Sequence, residues 1–135
     1  MTTRSSAAAR EASLAALADL IDAGAGPGTI SIYGGPQPAA ADDAVADRPL
    51  LARLTFAKPA FGSPHRGAIG ARPIPDGEAV AAGRATWARL ADGDGRTVAD
   101  VDVGEGGAAL NFSSVVLEPG DRISVAALVL RMPAF

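Results

Sequence analysis

Cysteine is missing from this chain of 135 residues. Disulfides, zinc–thiolate centres and thiol nucleophiles are thereby excluded, and the absence fits synthesis in a reducing cytoplasm. Histidine occurs once, as His65, so no pair of imidazoles is there to hold a metal. Lysine also occurs once, as Lys58, and 12 basic residues face 15 acidic ones for a net charge of −3. A protein that grips a nucleic-acid backbone needs a cationic surplus, so nucleic acid is a poor partner. Aromatic residues make up only 4% of the chain, which leaves the core to Ala, Val, Leu and Ile. No stretch approaches the roughly 18 apolar residues of a membrane span, and residues 1–6 do not open a signal peptide.

Glycine and proline, at 16 and 10, are abundant, and they cut the chain into short segments. The clearest of these is a hairpin. Residues 83–91 and 96–104 read as two strands around Asp92-Gly93-Asp94-Gly95, a sequence that tolerates the positive φ of tight turns. In the second arm Thr97, Ala99, Val101 and Val103 alternate with Val98, Asp100 and Asp102, the period of a half-buried strand. The first arm carries Trp87, the only tryptophan and the expected core anchor, whose N–H requires an acceptor. Upstream, residues 6–23 predict a helix capped by Ser5 or Ser6, with Leu14, Leu17, Leu20 and Ile21 on one face. Gly24-Ala25-Gly26-Pro27-Gly28 ends it. Strands are expected at 29–33, 50–56, 68–74, 110–117 and 122–131, with irregular chain at 39–47 and 58–67. The last strand is apolar on both faces, as for a central strand or an edge covered by a partner. The pattern predicts a mainly β protein, an antiparallel β-sandwich or jelly-roll-like domain over 28–135 preceded by an N-terminal arm and helix over 1–27, forming one globular unit.

Chemistry is harder to find. Ser63, His65 and any of several aspartates make a triad on paper, but no Gly-x-Ser-x-Gly elbow supports it. Asp92-Gly93-Asp94-Gly95 lacks the terminal glutamate of a calcium loop. The glycines at 24–28 follow a helix and precede a strand, the reverse of a phosphate-binding loop. Asp100 and Asp102 stand about 7 Å apart on one strand face. They could serve as paired carboxylates, yet solvent-facing aspartates that discourage edge pairing are the plainer reading. No catalytic, cofactor or metal residues are assigned, and an enzyme is not expected.

The order of these stretches resembles small proteins encoded among the head genes of tailed bacteriophages and prophages. The likeness runs over residues 14–133. It is carried by Ile30-Ser31-Ile32-Tyr33-Gly34-Gly35-Pro36-Gln37-Pro38-Ala39, by Leu50-Leu51-Ala52-Arg53-Leu54-Thr55-Phe56 and by Pro59-Ala60-Phe61-Gly62. Gly83, Ala85, Trp87 and Arg89 continue it, with Val98-Ala99-Asp100-Val101-Asp102-Val103-Gly104, Leu110-Asn111 and the closing strand. The resemblance implies a structural virion protein similar to capsid cement (decoration) proteins. Such a protein is made in the bacterial cytoplasm and sits on the capsid surface, clamping capsomers. Its expected partners are the major capsid protein and further copies of itself, as a dimer or trimer, with no cofactor and no membrane. Leu14, Leu17, Leu20, Ile21, Phe61, Met132 and Phe135 are the expected interface residues, because they lie in apolar segments of poor internal patterning. A head–tail connector, a head fibre base, a tail component and, further off, a cellular ligand-binding sandwich are the competing readings.

Overall fold

A computed structural model describes residues 4–132; Phe135 therefore lies outside the described residues. Among the described residues one helix, α1 (Ala7–Ile21), precedes eleven strands. In chain order these are β1 (Thr29–Tyr33), β2 (Leu50–Thr55), β3 (Ala68–Gly70), β4 (Gly77–Glu78), β5 (Gly83–Arg84) and β6 (Trp87–Ala91). They continue with β7 (Thr97–Gly104), β8 (Leu110–Phe112), β9 (Val116–Leu117), β10 (Arg122–Ile123) and β11 (Val125–Arg131). The protein is mainly β with one N-terminal helix, as the patterning predicts. Seven strands form one sheet in the order β2-β1-β6-β7-β8-β11-β3, and β4–β10 and β5–β9 form two short ribbons.

The sheet is mixed rather than wholly antiparallel, because β7 and β8 run parallel through Val103–Leu110 and Gly104–Asn111. The cause lies in the connecting loop. Asp102 Oδ1 accepts the Ala109 N–H at 2.9 Å, and the Asn111 side chain brackets Ala108 through both its N–H and its carbonyl. The chain is thus turned round a wide loop and re-enters beside the end of β7 instead of folding back along it.

Both outer edges of the sheet are partly covered. β2 meets Ala79 and Val80, with the Val80 N–H on Leu51 O at 2.7 Å. β3 is covered by residues 60–65, which bridge to it at Phe61–Ala71 and His65–Ala68. Unpaired strand edges invite association, and this cover shortens both. Ala79 also bonds the 119–121 turn, so the strand belt returns on itself through β4 and β10.

Bulges explain where simple alternation fails. The register of β1 on β2 slips at Leu51, so Leu51 joins Ala52 and Leu54 in the core. In β11 a slip at Ala126 exchanges the faces. Ile123 is buried before it and Leu128 and Leu130 after it, with Ala126 and Ala127 exposed between. The apolar residues on both faces of this segment thus serve one core in two phases. β11 is a central strand, between β8 and β3.

The helix belongs to the same core. Ser6 Oγ accepts the Ala9 N–H as its cap. Leu14 and Ile21 are fully buried in the main cluster against β3 and β7. Three polar ties fasten α1 and the link after it to the 58–67 segment. Lys58 Nζ donates to Gly24 O at 2.6 Å, the Ala60 N–H to Asp22 at 3.1 Å and the Arg66 N–H to Glu11 at 3.2 Å. The helix and the link after it are therefore no separate unit from the strands that follow.

Candidate functional site

Alternation along β1, β2, β6 and β7 sends Ile30, Ile32, Leu54, Ala88, Leu90 and Val101 to the core. The residues between them form a second, outer face. Register aligns Arg53, Ser31, Arg89 and Asp100 in one row across four strands. The Arg53 Nε–H donates to Ser31 Oγ at 3.0 Å. Arg89 grips Asp100 with both prongs, Nε to Oδ1 at 2.8 Å and Nη2 to Oδ2 at 3.0 Å. The two side chains are 11% and 4% exposed, and Asp100 pushes the Arg89 guanidinium further above its ordinary range. Asp100 is thus a buried counterion. The solvated acidic face expected of Asp100 and Asp102 reduces to Asp102, whose carboxylate holds the Ala109 amide.

The adjoining row pairs Tyr33 with Trp87, their rings stacked 4.7 Å apart. Trp87 is fully buried, but on this outer face rather than in the main cluster. Parity decides this, since Ala88 and Leu90 occupy the core side of β6. Its Nε1–H donates to Gly34 O at 3.2 Å. Guanidinium groups of Arg48 and Arg89 lie 5.9 and 5.4 Å from its ring centre. Arg48 in turn bonds Pro36 O and Val45 O, which holds the 34–49 loop down over the ring.

Between this loop and the Asp92 turn lies a cleft of about 360 Å³, floored by Ser31 and Arg89 and walled by Arg53, Thr29 and Thr97. The turn is a compact three-residue loop: the Asp92 N–H meets Arg96 O, and Gly95 takes φ +89°. Asp92 is 4% exposed, and its Oδ1 accepts the N–H groups of Asp94 and Arg96, each at 2.9 Å. These bonds, chiefly that from Arg96, hold its carboxyl below the usual range. The turn is a built structural corner. Among the described residues no three potential ligands converge on a metal position.

The other residues singled out by sequence are scattered. Leu14, Ile21 and Phe61, expected at an interface, are spent in the chain's own core, because the helix and the 58–67 segment pack inward. Leu17 and Met132 are partly buried and border a second cleft of about 400 Å³ between α1 and the ends of β7 and β11. Leu20 alone of the helical set is free, at 58% exposure. His65 sits exposed in a tight turn closed by its own backbone bonds to Ala68. Arg53, Ser31 and Arg89 were not anticipated. Their signal is polar residues at matching parity in three strands, which becomes a site only when the strand register is known.

The fold and this cleft define a small, mainly β domain with one docked helix and a polar surface recess. No family model, no curated protein and no solved structure matches the chain.

Proposed function

We propose that this chain is a structural protein of a tailed-phage virion, a decoration (cement) protein that binds the outer capsid surface and bridges capsomers. The observation that carries this reading is where the resemblance falls. The stretches at 30–33, 50–55, 87–89 and 98–104 belong to β1, β2, β6 and β7, which are neighbours in one sheet. Four of the stretches that carry the likeness are thus neighbours in space, while those at 34–39 and 59–62 lie in the connecting loops. The construction suits the role. A clamp between subunits needs a stiff scaffold with large surfaces rather than perturbed titrating groups, and here the helix, the 58–67 segment and the sheet are bolted into one body. Weak contacts repeated over a lattice add by multivalency. The partners are the major capsid protein and, by lattice symmetry, further copies of the chain.

Removing the helix is a poor test, because Leu14 and Ile21 would leave the core with it. Point changes at exposed apolar positions are cleaner. Leu20, Val80 and Val116 are 58%, 64% and 57% exposed. Leu20→Asp, Val80→Asp and Val116→Asp are expected to keep the fold, and at least one to lower capsid occupancy in reconstituted particles. Quantitative mass spectrometry of purified particles decides the class. A cement protein appears at a stoichiometry comparable with the major capsid protein. A small fixed number of copies would assign the chain to a connector, fibre base or tail instead, and absence from particles would end the virion reading.

A further inference from the structure

The outer-face cleft carries an unbalanced charge and unused donors. Of its arginines, Arg89 is neutralised by Asp100. Asp92 turns its carboxylate into its own loop, with Arg96 Nη1 3.6 Å from its second oxygen. Arg53 is left: exposed, with no carboxylate within 4.0 Å among the described residues. Its Nε–H is tethered to Ser31, and its two terminal nitrogens make no hydrogen bond or ion pair among the described residues. Ser31 is 7% exposed, accepts that bond, and donates its own proton to no acceptor among the described residues. Thr29 and Thr97 line the same recess. A buried hydroxyl with an undonated proton, beside a tethered and unpaired guanidinium, is a set of donors awaiting an acceptor.

We propose that this cleft binds a carboxylate, as carried by a glutamate side chain on a partner polypeptide. The terminal nitrogens of Arg53 meet the two carboxylate oxygens side by side, and the Ser31 hydroxyl donates to one of them. A planar monoanion suits a single guanidinium fork. A phosphate dianion does not, because one uncompensated cation meets it inside a chain of net charge −3. The recess, at about 360 Å³, admits a side chain with its flanking backbone. This site does not depend on the virion reading and is tested apart from it.

The probes are a short blocked peptide with one glutamate among neutral residues, its glutamine counterpart, and inorganic phosphate. Binding is followed by the NMR signal of the Arg53 Nε–H and by fluorescence of Trp87, which lies against Arg89 at the cleft. The glutamate peptide is expected to bind saturably, at least about tenfold more tightly than the glutamine peptide, and to weaken with added salt. Arg53→Ala, at an exposed position, is expected to abolish that preference while keeping the wild-type circular dichroism spectrum and melting transition. Arg72→Ala, an exposed arginine beside β3, is expected to change nothing. Equal binding of the two peptides, tighter binding of phosphate, or undiminished binding by folded Arg53→Ala would each overturn the proposal.

Discussion

At the scale of single residues, the outer face is held by charge placed where little water reaches. Arg89 and Asp100 are a bidentate pair under partial cover, so removing one leaves the other charged and poorly solvated. Asp100→Ala is expected to lose about 3 kcal/mol in urea unfolding. Arg89→Met combined with Asp100→Leu should recover most of that loss, and the double-mutant cycle gives the coupling directly. Asp92 supplies an acid-dependent term. Its carboxyl is held below its ordinary value of 3.8, chiefly by the Arg96 N–H. Its stabilising contribution is present above the unfolded-state value and disappears as pH falls through the lower folded value. Melting temperature should therefore drop on acidification below about pH 4. Asp92→Asn, which can still accept the two amides, should show a smaller drop over that range. Little of this was legible beforehand. The charges of Arg89 and Asp100 are plain in the sequence, but their burial depends on the 34–49 loop lying over the sheet, and no local pattern announces that.

At the scale of elements, β1, β2, the hairpin and the helix are readable because each rests on a strong local signal: alternation in Thr29-Ile30-Ser31-Ile32-Tyr33, an Asp-Gly turn, and a serine cap before an alanine-rich run. What escapes is any event that changes phase. Leu51, Val98 and Ala126 are each an extra residue in a ladder, and a period-two reading assigns everything beyond them to the wrong side. The glycine-rich link after α1 is legible as a helix stop, but its second purpose appears only in three dimensions. It packs backbone to backbone on the hairpin tip. A Cβ on Gly24 would stand 2.7 Å from the Gly93 nitrogen, and one on Gly93 would overlap the Gly26 carbonyl. Gly93→Ala should thus lose about 2 kcal/mol through forced separation of link and turn. Gly106→Ala, with open space around it, should leave stability within about 0.5 kcal/mol of wild type. Thermal melts of the two variants make the comparison.

At the scale of the whole molecule, composition foretold the class, since scarce aromatics and frequent glycine and proline leave short strands around a small aliphatic core. It did not foretell the order of strands or that the helix would complete that core. Both depend on contacts far apart in the chain. The return of the belt through Ala79 is one of them. Its N–H donates to Asp121 O and its carbonyl accepts from the Gly120 N–H, each at 2.8 Å, while Val80 beside it reaches β2. This residue ties the cover of β2 to the 119–121 turn. Ala79→Pro removes the donor to Asp121 and fits poorly at a 3% exposed position, so the rims of β2 and β10 come free to pair with other molecules. The expected outcome is growth of soluble aggregates with concentration in light scattering, at temperatures where the wild-type protein stays monodisperse. A buried alanine with no chemistry of its own would then govern the protein's colloidal behaviour.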